Sequence, residues 1–287
     1  MNDTEGQTFE LTNADFSAIR TLAKERAGIN ISDGKRSLIY GRLARRLRQL
    51  ALGSFAEYLP LLSDPAGKEA TEFINALTTN VTDFFRESHH FDFLGQQALP
   101  SLLRNKGGQR RLRIWSAGCS TGEEPYTLAI TLRESIPDLA RWDVKILATD
   151  IDSEVLAHAS AGAYAADRVK GLSPARLARW FIRQRGAREQ IRFQAKPELR
   201  ELITFKRLNL LEAWPMRGPF DAIFCRNVII YFDHETKMEL VGRFRTLLAD
   251  GCHMFLGHSE SLVTNGLGFA GCGRTIYRKC SVDAEAA

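Results

Sequence analysis

Residues 113–130 read RIWSAGCSTGEEPYTLAI, a strand-like run that breaks into small residues and then becomes a helix opened by acids. Ile114 and Trp115 close the apolar run. Ala117-Gly118-Cys119-Ser120-Thr121-Gly122 are small enough to let backbone approach a ligand closely at the carboxyl edge of a sheet. A phosphate loop of the GxxxxGKS/T kind is excluded, because Glu123 and Glu124 follow Gly122 and would repel a triphosphate. A GxGxxG dinucleotide pattern is weakened too, since only Gly118 and Gly122 match and no third glycine follows. A cationic ligand suits this loop better. A plain strand-to-helix turn with no ligand has the same appearance.

Outward from this loop, short apolar runs at Leu112–Trp115, Val144–Ala148, Ala222–Cys225 and His253–Gly257 alternate with helical segments. That alternation, which begins after Gly107-Gly108, predicts an α/β unit with a mainly parallel sheet covered by helices on both faces. The second run ends in Thr149-Asp150-Ile151-Asp152, an acid at a strand tip where Rossmann-like sheets hold ribose hydroxyls. The alternative is that Asp150 or Asp152 only caps the helix starting near Ser153. Between Trp180 and Phe205, the pieces Gln190–Phe193 and Leu202–Phe205 read as short strands of a small antiparallel insertion. Upstream, from residue 10 to about 105, apolar residues such as Phe16, Ile19, Leu22 and Ala23 recur at helical spacing. Thr12-Asn13-Ala14-Asp15, Ser32-Asp33 and Ser54 supply helix starts there.

Composition fits two packed domains: 287 residues, 44% hydrophobic and 25% charged, with no apolar run long enough to span a bilayer. The opening MNDTEGQTFELTNADF carries acids where a signal peptide carries bases, so the protein reads as cytoplasmic. Cys119, Cys225, Cys252, Cys272 and Cys280 form no CxxC pair and read as reduced, mostly packed thiols. No HxxxH or HExxH spacing occurs, so no protein-held metal is expected. A net charge of +5 and a pI near 9.0 suggest an acidic partner without naming its class.

AGCSTGEEPY, the strand end ATDID, FDAIFCRNVIIYFD and FLGHSES, in this order and preceded by TTNVTDFFRE at 78–87, resemble the chemotaxis receptor methyltransferases, the CheR family. The resemblance implies a small N-terminal all-helical domain followed by a Rossmann-like S-adenosylmethionine-dependent methyltransferase domain carrying a small antiparallel β insertion. On this basis residues 1–85 would be the substrate-recognition domain and 86–287 the methyltransferase domain, with the insertion at about 181–206. The implied activity is methyl transfer from S-adenosylmethionine to glutamate side chains on chemoreceptor cytoplasmic helices, giving glutamyl methyl esters and S-adenosylhomocysteine. The implied cofactor-contacting positions are Asn80, Thr82, Arg86, Glu123, Asp150, Asn209, Leu210, Asn227 and Val228.

A glutamate of pKa about 4.3 is already ionised at neutral pH, so methyl transfer to it needs alignment and water exclusion but no general base. Arg86 and Tyr231 are the candidate catalytic residues. Arg86 offers a planar fork for a carboxylate of substrate or cofactor, against the alternative of a surface arginine. Tyr231, four residues beyond Asn227, either reaches the transfer site or is a buried structural tyrosine. Arg226 is equally a packing-shell ion-pair residue, Phe84 and Phe85 read as core anchors, and His258 reads as structural. On Lys35–Arg48, Ile39, Leu43 and Leu47 form a buried stripe and leave Arg42, Arg45, Arg46 and Arg48 to meet an acidic receptor helix, or merely solvent. A receptor C-terminal peptide adding to the insertion is a further implied partner, for which the loop Arg185-Gly186-Ala187-Arg188 is undecided. The rival functions are a nucleic-acid methyltransferase, which lacks here an Asn-Pro-Pro-Tyr site, and a catalytically silent receptor adaptor. A monomer is the simplest expectation.

Overall fold

The computed structural model describes residues 8–106, 109–185, 190–262 and 267–280. Gly107-Gly108, residues 186–188 of the insertion loop and the first seven residues of the acidic start lie outside them.

Four helices build the N-terminal part: α1 (Asn13–Ala27), α2 (Arg36–Gln49), α3 (Phe55–Tyr58) and α4 (Lys68–Leu77). Thr12 and Asp15 form a reciprocal capping box on α1, and Ser54 accepts from Glu57 N at the start of α3. At Ser32 a 3-10 turn, Asp33–Lys35, precedes α2, and the Ser32 side chain makes no cap bond. Ile19, Leu43, Phe55 and Phe73, all fully buried, sit at the centre of one core that runs to Leu77. Gly28 ends α1 at φ +68°, where a Cβ would meet the Phe232 ring at 2.7 Å. Only glycine accepts both that conformation and that approach, so α1 closes directly against the second domain.

A second core begins at Phe84 and reaches Tyr277. After α5 (His89–Phe93), a π-helical turn and α6 (Leu99–Asn105) come β1 (Arg111–Ala117), α7 (Glu123–Ser135), β2 (Asp143–Asp150), α8 (Ser153–Ala161), β3 (Ala163–Ala165) and α9 (Pro174–Trp180). They are followed by β4 (Phe181–Arg185), β5 (Ile191–Ala195), α10 (Pro197–Arg200), β6 (Ile203–Arg207), β7 (Phe220–Cys225), α11 (His234–Leu247), β8 (Leu248–Leu256), β9 (Phe269–Gly273) and β10 (Ile276–Lys279). The main sheet runs β6-β2-β1-β7-β8-β10-β9. Its first five strands are parallel and the last two join antiparallel. β7 is buried at every position, as a central parallel strand covered on both faces must be.

The insertion differs from the expectation. Its sheet is β3-β5-β4, whereas Leu202–Phe205 does not belong to it: β6 lies beside β2, parallel, with Ile203 opposite Ile146. Ile203 is buried where β6 extends the main core, so its apolar run is satisfied there and not in a hairpin. Among the cysteines, Cys119, Cys225 and Cys252 are buried, Cys272 is exposed, and all five are free thiols. No helix of the described residues is long and apolar enough to cross a membrane.

Candidate active site

Where β1, β2 and β7 end, a cleft opens between the two cores. One wall is the glycine loop. Gly118 has φ +88°, and a Cβ on it would lie 2.3 Å from Val228 Cγ2, so this glycine lets the β1 and β7 ends touch. Ser120 follows at φ +49°, and its N–H donates to Asp150 Oδ2 at 2.8 Å. Glu123, expected to contact cofactor, does not line the cleft. Its fully buried carboxylate pairs with Arg168 and accepts from Thr121 Oγ1 at 2.6 Å. The second acid, Glu124, faces the cleft instead.

Asp150 ends β2 and is almost fully buried. Besides Ser120 N, Asp152 N donates to it at 3.0 Å. Burial pushes its carboxyl up to about 6, against the pull of these two N–H donors. Asp152 caps α8, accepting from Glu154 N and Val155 N at 2.9 and 3.2 Å. Its other oxygen accepts from Thr78 Oγ1 at 2.7 Å and Asn80 Nδ2 at 2.9 Å. The two acids therefore divide the alternatives between them: Asp152 is the cap, and Asp150 faces the cleft.

Thr78–Asp83 connects the cores and forms the opposite wall, bringing Asn80, Thr82 and then Arg86 to the cleft. Arg86 stands between Phe85 and Glu87, at φ +56° and +55°, and its Nη1 donates to Val81 O at 2.6 Å. Two non-glycine neighbours in the left-handed region, one on each side of Arg86, mark a turn that its surroundings must hold in place. Arg226 does so, donating from Nη2 to Arg86 O. This buried guanidinium also pairs with Glu124 at 3.0 Å and Glu87 at 3.3 Å. Burial raises the Glu124 carboxyl, opposed by Arg226 and by the Ser116 hydroxyl. Burial alone would raise Glu87 as well, but Arg226 and His258 outweigh it and hold that carboxyl at about 2. His258 Nδ1 lies 3.0 Å from Glu87 Oε1.

The turn after β7 supplies Asn227, Val228 and Tyr231. Asn227 has φ +59°, and its N–H donates to Glu260 Oε2 at 2.7 Å. Ile230 N and Gly257 N donate to the same buried carboxylate at 3.2 and 2.6 Å, so Glu260 clamps the β7 and β8 ends together. Tyr231 is half-buried, lies under Lys35 Nζ at 5.7 Å, and accepts at its backbone O from Asn30 N at 2.8 Å. Asn209 and Leu210 close the floor, with Asn209 Nδ2 donating to Arg26 O at 2.7 Å. Thus every expected cofactor position except Glu123 lines one cleft with Arg86 and Tyr231. Arg226 is the packing-shell ion-pair residue that the sequence allowed, whereas the clamping roles of Glu124 and Glu260 are not among its readings. Their signal was position inside GEEPY, CRNV and GHSES, but sequence does not say which acid meets which arginine.

The basic helix divides more sharply. Arg42 donates to Leu77 O, Thr78 O and Thr79 Oγ1 at 2.6, 2.9 and 2.9 Å, closing the end of α4 where the chain enters the cleft. Arg46 makes a two-pronged bond to Glu69 at 2.8 and 2.6 Å and approaches Glu72 at 3.7 Å. The acidic helix that meets Arg46 is the protein's own α4. Arg45 is exposed and has no ion-pair partner among the described residues, while Arg48 is partly covered.

Comparison with known proteins follows the same division. Residues 14–78 match the family model described as CheR methyltransferase, all-alpha domain, and residues 80–277 match CheR methyltransferase, SAM binding domain. A probable chemotaxis protein methyltransferase of Rhizobium etli is 45% identical over 88% of this chain and 94% of its own. Chemotaxis protein methyltransferases of Escherichia coli and Salmonella typhimurium are each 44% identical, over 93% and 94% of this chain and 91% and 92% of theirs.

Proposed function

The chain belongs to the CheR methyltransferase family and is an S-adenosylmethionine-dependent chemotaxis protein methyltransferase, and from this premise we propose that it methylates glutamate side chains on the cytoplasmic helices of chemoreceptors. The donor set fits the cofactor. Asp150 offers a carboxylate to ribose hydroxyls, Arg86 offers a fork to a carboxylate, and Gly118, at φ +88°, presents backbone without a side chain to the cleft. Thr82, Asn209, Leu210, Asn227 and Val228 complete the lining, and Glu124 takes the place proposed for Glu123. When bound, S-adenosylmethionine supplies an electrophilic methyl group on a sulfonium.

The single observation that supports the glutamate reading most is the placement of Arg86 and Tyr231 in one cleft between the helical domain and the sheet. A carboxylate nucleophile arrives ionised. What remains for the chain is to hold it in line and dry, which lowers the barrier by several kcal/mol on the order of known proximity effects. Arg86 is held for that task by Arg226, and Tyr231 by the Asn30 bond. Residues 1–85 are then the receptor-facing domain and 86–287 the methyl-transfer domain, in a cytoplasmic monomer. The open edge of β4, which among the described residues pairs only with β5 and is exposed from Ile182 to Arg185, supports docking of a receptor C-terminal strand. Transfer of tritiated methyl to a chemoreceptor cytoplasmic fragment, released as methanol in mild alkali, is the expected result. Alkali-stable label on bulk RNA would overturn the substrate, and cofactor binding without transfer would favour an adaptor.

A further inference from the structure

Among the described residues, large apolar side chains stand exposed at five places, Leu38, Leu61, Val81, Ile182 and Ile230. One of these lines the cleft, and two more adjoin residues that line it or touch its lining. Val81, 68% exposed, is part of its lining. Ile230 adjoins Tyr231 in the 3-10 turn Ile229–Tyr231. Leu38 lies on the face of α2 that also carries Lys35 and Arg42, since positions three and seven apart share a helix face. Both neighbours are tied to the cleft, Lys35 over the Tyr231 ring and Arg42 on the backbone of Thr78 with Thr79, so Leu38 faces the same opening between them.

Fully solvated apolar side chains scattered singly need no account, but a group around an active-site mouth does. We propose that Leu38, Val81 and Ile230 form an apolar collar that receives the apolar side chains lying one turn before and after the target glutamate on an amphipathic substrate helix. This rests on the preceding reading that the substrate is such a helix. Its glutamate enters toward Arg86 and Tyr231. Side chains three or four positions away on the same helix lie about 5–6 Å along its surface, close enough to meet the rim. Charge complements this: Lys35 and exposed Arg45 continue the same α2 face and suit the acids of a helix rich in glutamate. The collar thereby selects which glutamates are methylated. One flanked by apolar residues at three- and four-residue spacing is accepted, and one on an all-polar face is not.

The test uses the full chain and a chemoreceptor cytoplasmic fragment, in two forms: native, and with the residues three and four away from its target glutamate changed to serine. Leu38→Ser combined with Ile230→Ser is expected to raise KM for the native fragment about fivefold or more, the scale of two partly buried apolar side chains. Fragment binding in the presence of S-adenosylhomocysteine, read by fluorescence anisotropy, weakens by the same factor. Affinity for S-adenosylhomocysteine alone and the thermal midpoint stay unchanged. The loss persists at about 0.5 M salt, where charge effects are screened. Leu61→Ser, about equally exposed but on the 3-10 turn Leu59–Leu62 after α3 and beside no residue of the cleft lining in sequence, leaves all of these alone, and the serine-flanked fragment no longer distinguishes variant from wild type. Native KM and binding in the double variant would overturn the collar and leave the glutamate reading standing. A changed cofactor affinity or midpoint would also overturn it, as a structural effect. No ester formed by the wild-type chain would overturn both.

Discussion

The buried wall of the cleft and its basic rim carry charges of the same kinds, arranged by opposite rules. In the wall, Arg226 is enclosed by Glu124 and Glu87 and grips the backbone of Arg86, so each charge is committed to holding a shape. On the rim, α2 carries a row of arginines, of which Arg42 and Arg46 are committed in the same way and Arg45 faces solvent. A charge therefore reveals its task by its partners. The sharpest way to break the comparison is Arg226→Met. It leaves the buried Glu124 carboxylate without its cation and strips one partner from half-buried Glu87, a cost of about 3 kcal/mol or more, and urea unfolding is expected to show that loss with cofactor affinity falling alongside. A variant that unfolds at the wild-type midpoint would mean that the wall is held by other contacts.

Next in size are the rim arginines taken one at a time. Arg46→Glu places a third carboxylate beside Glu69 and Glu72 and removes a two-pronged bond, so stability should fall by about 2 kcal/mol. Arg45→Glu should leave stability within ~0.5 kcal/mol and slow receptor methylation at low salt only. Equal unfolding midpoints for the two variants would erase the distinction drawn between them. Asp150→Ala comes third, with cofactor affinity reduced by at least ~1 kcal/mol in calorimetry, because a charge-assisted acceptor is lost and Ser120 N loses its partner. Unchanged affinity would remove Asp150 from the site.

The same contrast explains what was legible beforehand. Strand runs, the glycine loop and the acid at the tip of β2 follow from local rules of sterics and periodicity, so β1, β2, β7 and β8 can be read from their own residues. Leu202–Phe205 joins a different sheet from the one expected, because an isolated apolar run states that a strand exists but not its neighbour. Its pairing with β2 is set by a chain crossing from elsewhere. Glu123 and Glu124 are adjacent and chemically alike, and only the start of α7 decides that one meets Arg168 and the other the cleft. For the basic helix, the absence of acids within the segment looked like freedom for all four arginines. The compensating acids were on α4, more than 20 residues away in the chain.

The smallest effect separates the wall from the rim by pH. Burial holds the Asp150 carboxyl at about 6, well above the ordinary carboxylate range. For folding, such a raised acid favours the native state below its unfolded value and loses that contribution as pH rises through about 6. For the cofactor the sign reverses, since ribose hydroxyls donate to the ionised form. On lowering pH from about 7.5 to 5.5, the ionised fraction falls to roughly a quarter, and cofactor affinity should weaken about fourfold. Asp150→Asn, which keeps the shape and cannot titrate, should bind more weakly at neutral pH and show a flat profile over this range. A fourfold change that survives the substitution would assign the pH response to another group and take it away from the ribose end of the cleft.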